Sequence, residues 1–223
     1  MATIITFEGI DGTGKGTQME RTRDLLLSLG KKVLPLSFPR YDTFFGNEVG
    51  AYLTAREGVR ADTVDAKSMA LWFALDRFET FRSLDLSPYD AVLINRYVLS
   101  NAVYQSIRDI DLGRPDLIDF ITELEFTHFQ IPKPDICLVF DMDLSAASRN
   151  VGKKGFREYI GGNGSDIYES VPAIQRRARE KYLAYAQKLE NTHIIPCMKE
   201  GKLLPIEDIF ALIKEILKEE GVL

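Results

Sequence analysis

Short apolar runs recur along the chain and predict five β-strands. Each is shorter than a typical helix and ends in a polar or glycine-containing break. Runs without strict alternation of polar and apolar residues are typical of strands buried on both faces of a parallel sheet. They cover residues 4–7, 31–37, 91–94, 136–140 and 192–196.

Between these runs, apolar residues three and four positions apart predict amphipathic helices. One helix begins at Lys15 and carries a core stripe of Met19, Thr22, Leu25, Leu26 and Leu29. Another extends from an N-cap at Asp62 to about Leu84 and faces the core with Leu71, Ala74, Phe78 and Phe81. Further helices are predicted near residues 48–53, after residue 100, and over 116–128, 168–190 and 205–220.

This alternation of strands and helices predicts an α/β fold. We expect a doubly wound, parallel, five-stranded sheet with helices on both faces and right-handed crossovers. At 223 residues the chain suits a single domain spanning residues 1–223.

Charge and residue usage exclude several classes of function. A formal net charge of −5 argues against nonspecific binding to nucleic acid. Because no 18-residue apolar run or charged-then-apolar leader is present, we expect a soluble cytoplasmic protein without a membrane span. Cys137 and Cys197 lack metal-ligand spacing and are interpreted as reduced structural thiols, and His128 and His193 match no catalytic or metal pattern.

A glycine-rich loop between the first strand and the first helix predicts a phosphate-binding site. Glycines allow the backbone to turn its N–H groups inward as an anion-binding nest, and the helix N-terminus adds a partial positive charge. Lys15 adds a full positive charge. The predicted nucleotide-binding residues are Gly9, Ile10, Asp11, Gly12, Thr13, Gly14, Lys15, Gly16 and Thr17 in this loop, and Arg149 further along the chain.

The loop departs from the pattern G-x-x-x-x-G-K-[ST] at one position. Gly16 replaces the Ser or Thr that follows the lysine and ligates magnesium, and Thr17 lies one place later. This ending resembles nucleoside monophosphate kinases of the adenylate-kinase type, in which phosphates and water hold most of the metal shell. The loop therefore offers Thr17 as the candidate ligand for Mg²⁺, directly or through water.

Aromatic and cationic side chains follow the predicted strands, where open α/β sheets bind ligands. Phe38, Arg40 and Tyr41 follow the second strand, and Arg96 follows the third. Phe73 and Arg77 lie one helical turn apart, which suits either a stacked ligand or a packed aromatic beside a surface arginine.

Residues 149–166 combine five glycines with the cations Arg149, Lys153, Lys154 and Arg157. Such a composition predicts a lid that closes over phosphates, and the alternative is a solvated connecting loop.

Taken together, these motifs resemble the thymidylate kinase family, whose members phosphorylate dTMP to dTDP with ATP. The resemblance covers nearly the whole chain. It depends on the glycine-rich loop together with four further motifs in the family's order: Phe38-Pro39-Arg40-Tyr41, Phe73-Ala74-Leu75-Asp76-Arg77, Arg96-Tyr97 and Ser100-Asn101-Ala102-Val103-Tyr104-Gln105.

The resemblance implies a role for each matching residue. Phe73 stacks on thymine, Arg77 bonds its carbonyl edge, and Tyr104 crowds the 2′ position of the sugar. The other implied substrate contacts are Phe38, Arg40, Tyr41, Arg96, Ser100, Asn101, Gln105 and Tyr168, the last acting with Glu169. Asp11 is implied near the sugar 3′-OH and the magnesium shell.

The resemblance also implies ATP and Mg²⁺ as cofactors, a homodimer, and a catalytic cation supplied by the lid. Gly12 and Gly16 occupy the positions where other members carry an extra arginine, so Arg157, and next Lys153, are expected to supply that cation. With Lys15, Arg96 and Asp11 they complete the predicted catalytic set. Asn95 stands where the family usually has aspartate.

Two other functions compete with this one. A deoxynucleoside kinase would benefit from a carboxylate base near the end of the second strand, where this chain has Arg40. A nucleotide-binding protein without turnover would be consistent with Asn95, but Lys15 and the cationic lid argue against it.

Overall fold

The computed structural model describes residues 2–151, 167–168 and 171–223. Five strands form the main sheet and two short ones form a hairpin. The strands are β1 (Thr3–Glu8), β2 (Val33–Ser37), β3 (Ala91–Asn95), β4 (Ile136–Asp141), β5 (Thr192–Pro196), β6 (Met198–Lys199) and β7 (Lys202–Leu203).

Helices connect successive strands of the main sheet and pack around it. They are α1 (Lys15–Ser28), α2 (Phe44–Thr54), α3 (Ala66–Ser83), α4 (Val98–Asp111), α5 (Ile118–Thr122), α6 (Leu144–Val151), α7 (Pro172–Ala186) and α8 (Ile206–Glu219). A π-helical segment, Glu123–His128, continues directly from α5. No described helix combines the length and apolar character needed to cross a membrane.

The sheet order β2-β3-β1-β4-β5 places the first strand at the centre. All of its pairings are parallel, and Phe7 of β1 lies opposite Asn95 of β3. Because these two strands end at the same edge, the loops that begin at Gly9 and Arg96 emerge side by side. The predicted five-stranded parallel sheet is thus confirmed, and its topology creates the edge at which the site lies.

Burial explains why the central strands are so apolar. Residues from Ile5 to Glu8 and from Ala91 to Ile94 are almost fully buried, since helices cover both faces of the sheet. The core continues into α4, whose residues from Val98 to Ile107 are all buried. Consequently α4, which follows Arg96, is fixed firmly against the centre of the sheet.

Two details predicted for α3 are wrong. The N-cap is Asp65, which accepts hydrogen bonds from the N–H groups of Lys67 and Ser68, whereas Asp62 pairs with Arg60. Leu71 is 39% exposed and faces away from the core, while Ala74 is fully buried.

Three other helix predictions need correction. The helix predicted over 168–190 is α7, which begins at Pro172 and ends at Ala186, since proline suits a first helical position. The segment 116–128 is not one regular helix but α5 followed by the π-helical segment. Leu29 is 55% exposed and lies beyond the end of α1.

A polar contact joins α7 to the loop before α5. Asp116 accepts hydrogen bonds from Ser106 Oγ at 2.8 Å and from the N–H of Ile118 at 3.0 Å, and it also contacts Lys181 and Tyr185. Burial acts to raise the pKa of Asp116, but these hydrogen bonds outweigh it and lower the pKa to about 2. The charged carboxylate therefore stabilises the folded state.

Asp116→Asn is expected to lower the free energy of unfolding at neutral pH. Because the folded-state pKa lies below the ordinary 3.8, this stabilisation is present above pH 3.8 and is lost as pH falls towards 2. Urea unfolding at several pH values should show the difference between the wild type and the variant shrinking over that interval. A difference that stays constant from neutral pH to pH 2 would show that the charge of Asp116 contributes nothing.

Candidate active site

The glycine-rich loop has the backbone conformation needed for an anion nest. Gly9, Gly12 and Gly14 have φ angles of +134°, +82° and +85°, as the sequence predicts. Gly14 is also the N-cap of α1 and has no side chain with which to satisfy the amides of the first turn. The loop therefore directs backbone N–H groups and the positive end of the helix dipole towards the same space.

Lys15 lies against the carbonyls of this loop. Its ammonium donates to Gly9 O at 2.9 Å and to Ile10 O at 2.7 Å, and it is within 3.4 Å of Thr13 Oγ1. The side chain is almost completely buried. A positive charge is thus held at the centre of the nest, where phosphate oxygens would be neutralised.

A single cavity of about 760 Å³ extends from this loop to the aromatic residues of α3 and α4. The loop residues Asp11 to Gln18 line one end. The predicted substrate residues that line the remainder are Phe38, Tyr41, Phe73, Arg77, Arg96, Ser100, Asn101, Tyr104, Gln105 and Tyr168. Residues from distant parts of the sequence therefore meet in one space, as the prediction requires.

Arg96 lies between the two ends of the cavity. Its Nη2 donates to Asp11 Oδ1 at 2.7 Å, its Nη1 is 3.3 Å from Ser100 Oγ, and its guanidinium lies 5.6 Å from the centre of the Tyr104 ring. Burial acts to lower the pKa of Arg96, but the charge and hydrogen bond of Asp11 together with Tyr104 and Tyr182 outweigh it, and the net pKa lies well above the ordinary value. Arg96 is therefore permanently cationic where donor and acceptor regions meet.

Glu8 holds Arg96 in position, although sequence reasoning assigned it no role. Its carboxylate accepts from Tyr97 N at 2.8 Å and from Ser100 Oγ at 2.5 Å, immediately beyond Arg96. The arginine itself has a left-handed φ of +62° and donates its N–H to Phe7 O. Strain of this kind persists where neighbouring contacts determine the conformation, and here β1 supplies them on both sides of the residue.

Two amide side chains on α4 line the base-sized end of the cavity and carry buried atoms with no protein hydrogen-bond partner in the described part of the chain. These atoms are Asn101 Oδ1 and Gln105 Nε2. Gln105 Oε1 accepts from Arg108 at 2.7 Å, which leaves its nitrogen as the unsatisfied donor. Buried polar atoms normally have hydrogen-bond partners, so these two atoms suit a ligand that offers both a donor and an acceptor.

Tyr168 forms another part of the cavity wall and is held by Gln175 of α7. The ring of Tyr168 stacks on Tyr104 with centroids 5.6 Å apart. Gln175 donates to Tyr168 O at 3.0 Å and accepts from the N–H of Asp11 at 3.3 Å. Gln175 thus links α7 to the phosphate loop. Sequence reasoning missed it because nothing in a helix rich in charged residues distinguishes one glutamine.

Some predicted site residues lie elsewhere. The guanidinium of Arg40 pairs with Asp42 at 3.1 Å and is not among the cavity-lining side chains. Arg149 is exposed near the end of α6, and its neighbour Asn150 instead donates to Gly12 O at 2.9 Å. Lys153, Lys154, Arg157 and Glu169 lie outside the described residues, as does most of the predicted lid.

The donor set fits magnesium held mainly by phosphates. Within residues 2–151, 167–168 and 171–223, no group of three or more His, Cys, Asp or Glu could form a metal site. Asp11 and Thr17 are oxygen donors that line the cavity beside the loop. Mg²⁺ commonly combines one or two protein oxygens with substrate phosphates and water, and this arrangement permits the same.

Comparison with known proteins identifies the family. The family model described as thymidylate kinase matches residues 7–204, which include the glycine-rich loop and most of the sheet and of the cavity lining. The chain belongs to the thymidylate kinase family. The reaction of this family is the phosphorylation of dTMP by ATP.

Curated relatives extend the similarity over most of the chain. The thymidylate kinase of Mycobacterium tuberculosis is 30% identical over 186 residues, covering 82% of this chain and 85% of that protein. A probable thymidylate kinase of Pyrococcus horikoshii is 26% identical over 220 residues, covering 97% of this chain and 96% of that protein.

A solved structure supports the fold. The thymidylate kinase of Candida albicans superposes with a TM-score of 0.70 at 21% sequence identity, covering 99% of this chain and 93% of that one. The predicted nucleoside monophosphate kinase-like fold and the family resemblance are both confirmed.

Gly12→Ala is expected to damage the phosphate loop far more than Gly14→Ala. A Cβ at residue 12 would lie 2.0 Å from Ala147 O, whereas one at residue 14 would meet nothing within 4 Å. Both replacements also strain a left-handed backbone by about 1–2 kcal/mol. Displacing the loop by about 1 Å can lower activity about 100-fold, so kcat/KM for ATP should fall on that scale in Gly12→Ala. Equal losses in the two variants would contradict the steric argument.

Proposed function

We propose that this chain phosphorylates dTMP to dTDP with MgATP by in-line transfer within the cavity that joins the glycine-rich loop to α3 and α4. The observation that carries the proposal is the position of Arg96, which contacts Asp11 of the loop and Ser100 of the acceptor region. A cation at this junction suits an acceptor that already carries a phosphate. It does not suit the neutral hydroxyl of a nucleoside, which would benefit from a base.

At the donor end, the loop amides and Lys15 bind the phosphates of ATP. The ammonium of Lys15 neutralises charge that develops on the transferring group. Asp11 and Thr17 would hold Mg²⁺ together with phosphate oxygens and water, and the metal would supply further charge neutralisation. Because the second pKa of a phosphate monoester is about 6, the acceptor is already largely ionised at neutral pH and needs little base assistance.

At the acceptor end, Phe73 supplies an aromatic face and Arg77 a guanidinium along the cavity wall. The unsatisfied Asn101 Oδ1 and Gln105 Nε2 add an acceptor and a donor, which suit the imide edge of thymine. Tyr104 packs between Arg96 and Tyr168, and the family resemblance implies that its ring lies against the 2′ position of the sugar. These contacts support a deoxyribonucleoside monophosphate with a neutral pyrimidine base.

The net charge of −5 and the absence of an 18-residue apolar run favour a cytoplasmic protein that binds small molecules rather than nucleic acid or membranes. The family resemblance supports a homodimer and a catalytic cation from Arg157 or Lys153. The last is tested by replacing each cation with alanine and measuring kcat.

The substrate is tested by a coupled assay of ADP release with Mg²⁺ and ATP. Acceptors compared in parallel are dTMP, dUMP, dCMP, ribothymidine monophosphate, AMP and thymidine. We expect rapid turnover with dTMP and little with AMP or thymidine. Preferred turnover of thymidine would instead indicate a nucleoside kinase, and no turnover with any acceptor would indicate a binding protein.

Lys15→Ala is expected to lower kcat by about 100-fold or more, since one preorganised charge at the transferring group contributes on that scale. Lys32→Ala is the matched control, because Lys32 is an exposed lysine just before β2 and outside the cavity. Steady-state kinetics with dTMP and ATP measure both. Comparable rates in the Lys15 variant and the control would disprove the role of Lys15.

A further inference from the structure

A buried ion pair lies behind the base-sized end of the cavity. Glu125 accepts from Arg77 Nε at 2.5 Å and from Arg77 Nη2 at 2.6 Å. The side chain of Glu125 is 0% exposed and that of Arg77 is 2% exposed. This two-pronged contact fixes the plane of the guanidinium and leaves Nη1 as the nitrogen not used by the pair.

The same carboxylate fixes Asn101. Its Nδ2 donates to Glu125 Oε1 at 3.0 Å and to Ala70 O at 3.0 Å. Both partners can only accept when the glutamate is ionised, so the amide nitrogen must face them. Asn101 Oδ1, which has no protein partner within the described residues, is thereby fixed as an acceptor on a cavity-lining residue.

Local backbone geometry explains how this acid enters the core. Glu125 belongs to the π-helical segment Glu123–His128, in which Phe129 N donates to Leu124 O. Glu125 is fully buried, whereas the side chain of Glu123 is 69% exposed. π-Helical turns occur frequently at functional sites, and this one presents a single carboxylate to two residues of the cavity wall.

We propose that Glu125 is a positioning residue that sets the base specificity of the enzyme. Because Glu125 holds both side chains, the cavity wall presents the guanidinium donor of Arg77 beside the amide acceptor of Asn101. Thymine offers the complement, a carbonyl acceptor at position 4 beside the N3–H donor, whereas cytosine offers an amino donor beside an N3 acceptor. This inference rests on the proposed dTMP site and adds the residue that keeps Asn101 in the orientation that rejects cytosine.

The test compares kcat/KM for dTMP and dCMP in the wild type and in Glu125→Gln. Glutamine can present an N–H to Asn101, so one of the two acceptors that oppose the reversed, cytosine-accepting amide is removed, while Ala70 O remains. We expect the preference for dTMP over dCMP to fall by about tenfold or more, the scale set by one hydrogen bond to a charged group. A general loss of structure would lower both rates together and leave their ratio unchanged.

Glu123→Gln is the matched control, because it makes the same chemical change in the same segment at an exposed site. Its ratio of kcat/KM for dTMP to kcat/KM for dCMP should equal that of the wild type. Glu125→Asp retains an acceptor-only carboxylate and should keep most of the preference. If the wild type prefers dTMP and folded Glu125→Gln retains the same ratio, the inference about Glu125 is wrong. If the wild type does not use dTMP, the proposed function fails instead.

Removing one partner of a buried ion pair can prevent folding, so a second measurement uses the wild-type protein. NMR of the Asn101 carboxamide should show NH₂ protons that exchange slowly with solvent both with and without dTMP. Rapid exchange in the absence of dTMP would show that the amide is not fixed by Glu125, and would overturn the inference.

Discussion

The carboxylate of Glu8 holds together the two halves of the active site. It lies at the end of the central strand and is followed directly by Gly9 of the phosphate loop. Through Tyr97 N and Ser100 it also caps the start of α4, so that Arg96 is held beside the loop. Burial raises the pKa of Glu8, and hydrogen bonds from Ser100 and Tyr97 together with the charges of Arg96 and Lys15 offset this only in part. The protein thus places a buried acid, whose burial is energetically unfavourable, where the phosphate loop meets the start of α4.

A second buried acid does the same for the part of the cavity wall that contains Arg77 and Asn101. Glu125 orients Arg77 and Asn101 from behind, as Glu8 orients Arg96 and Ser100. Buried ion pairs seldom add much net stability, because desolvation offsets the attraction between the charges. Their effect here is geometric, since each carboxylate accepts from two different cavity residues and so fixes their relative positions.

The sequence was sufficient to predict the sheet and the phosphate loop because both depend on local patterns. The central strands are apolar on both faces, and the loop combines glycines with Lys15 at a characteristic spacing. The positions of Phe73, Arg77 and Tyr104 could be inferred because the resemblance supplied them.

The roles of Glu125 and Gln175 could not be inferred, since their partners are distant in sequence. Glu125 also points inward because of a π-helical segment, which a period of 3.6 residues does not predict. Asp62 and Asp65 both precede α3 and could cap its N-terminus. In the structure Asp62 pairs with Arg60, and Asp65 is the N-cap.

Asn95 shows how a departure from the family pattern can be accommodated. It ends β3 beside Arg96, lines the cavity, and donates through Nδ2 to Ser37 Oγ at 3.1 Å, which joins the ends of two neighbouring strands. An aspartate here would accept a hydrogen bond from the serine hydroxyl, whereas Asn95 donates one to it, so either side chain can link the two strands. The difference is therefore electrostatic. A neutral amide adds no negative charge next to Arg96, while Asp11 still pairs with that arginine from the loop. Asn95 thus keeps a hydrogen bond between the ends of β2 and β3 without placing a second carboxylate beside Arg96.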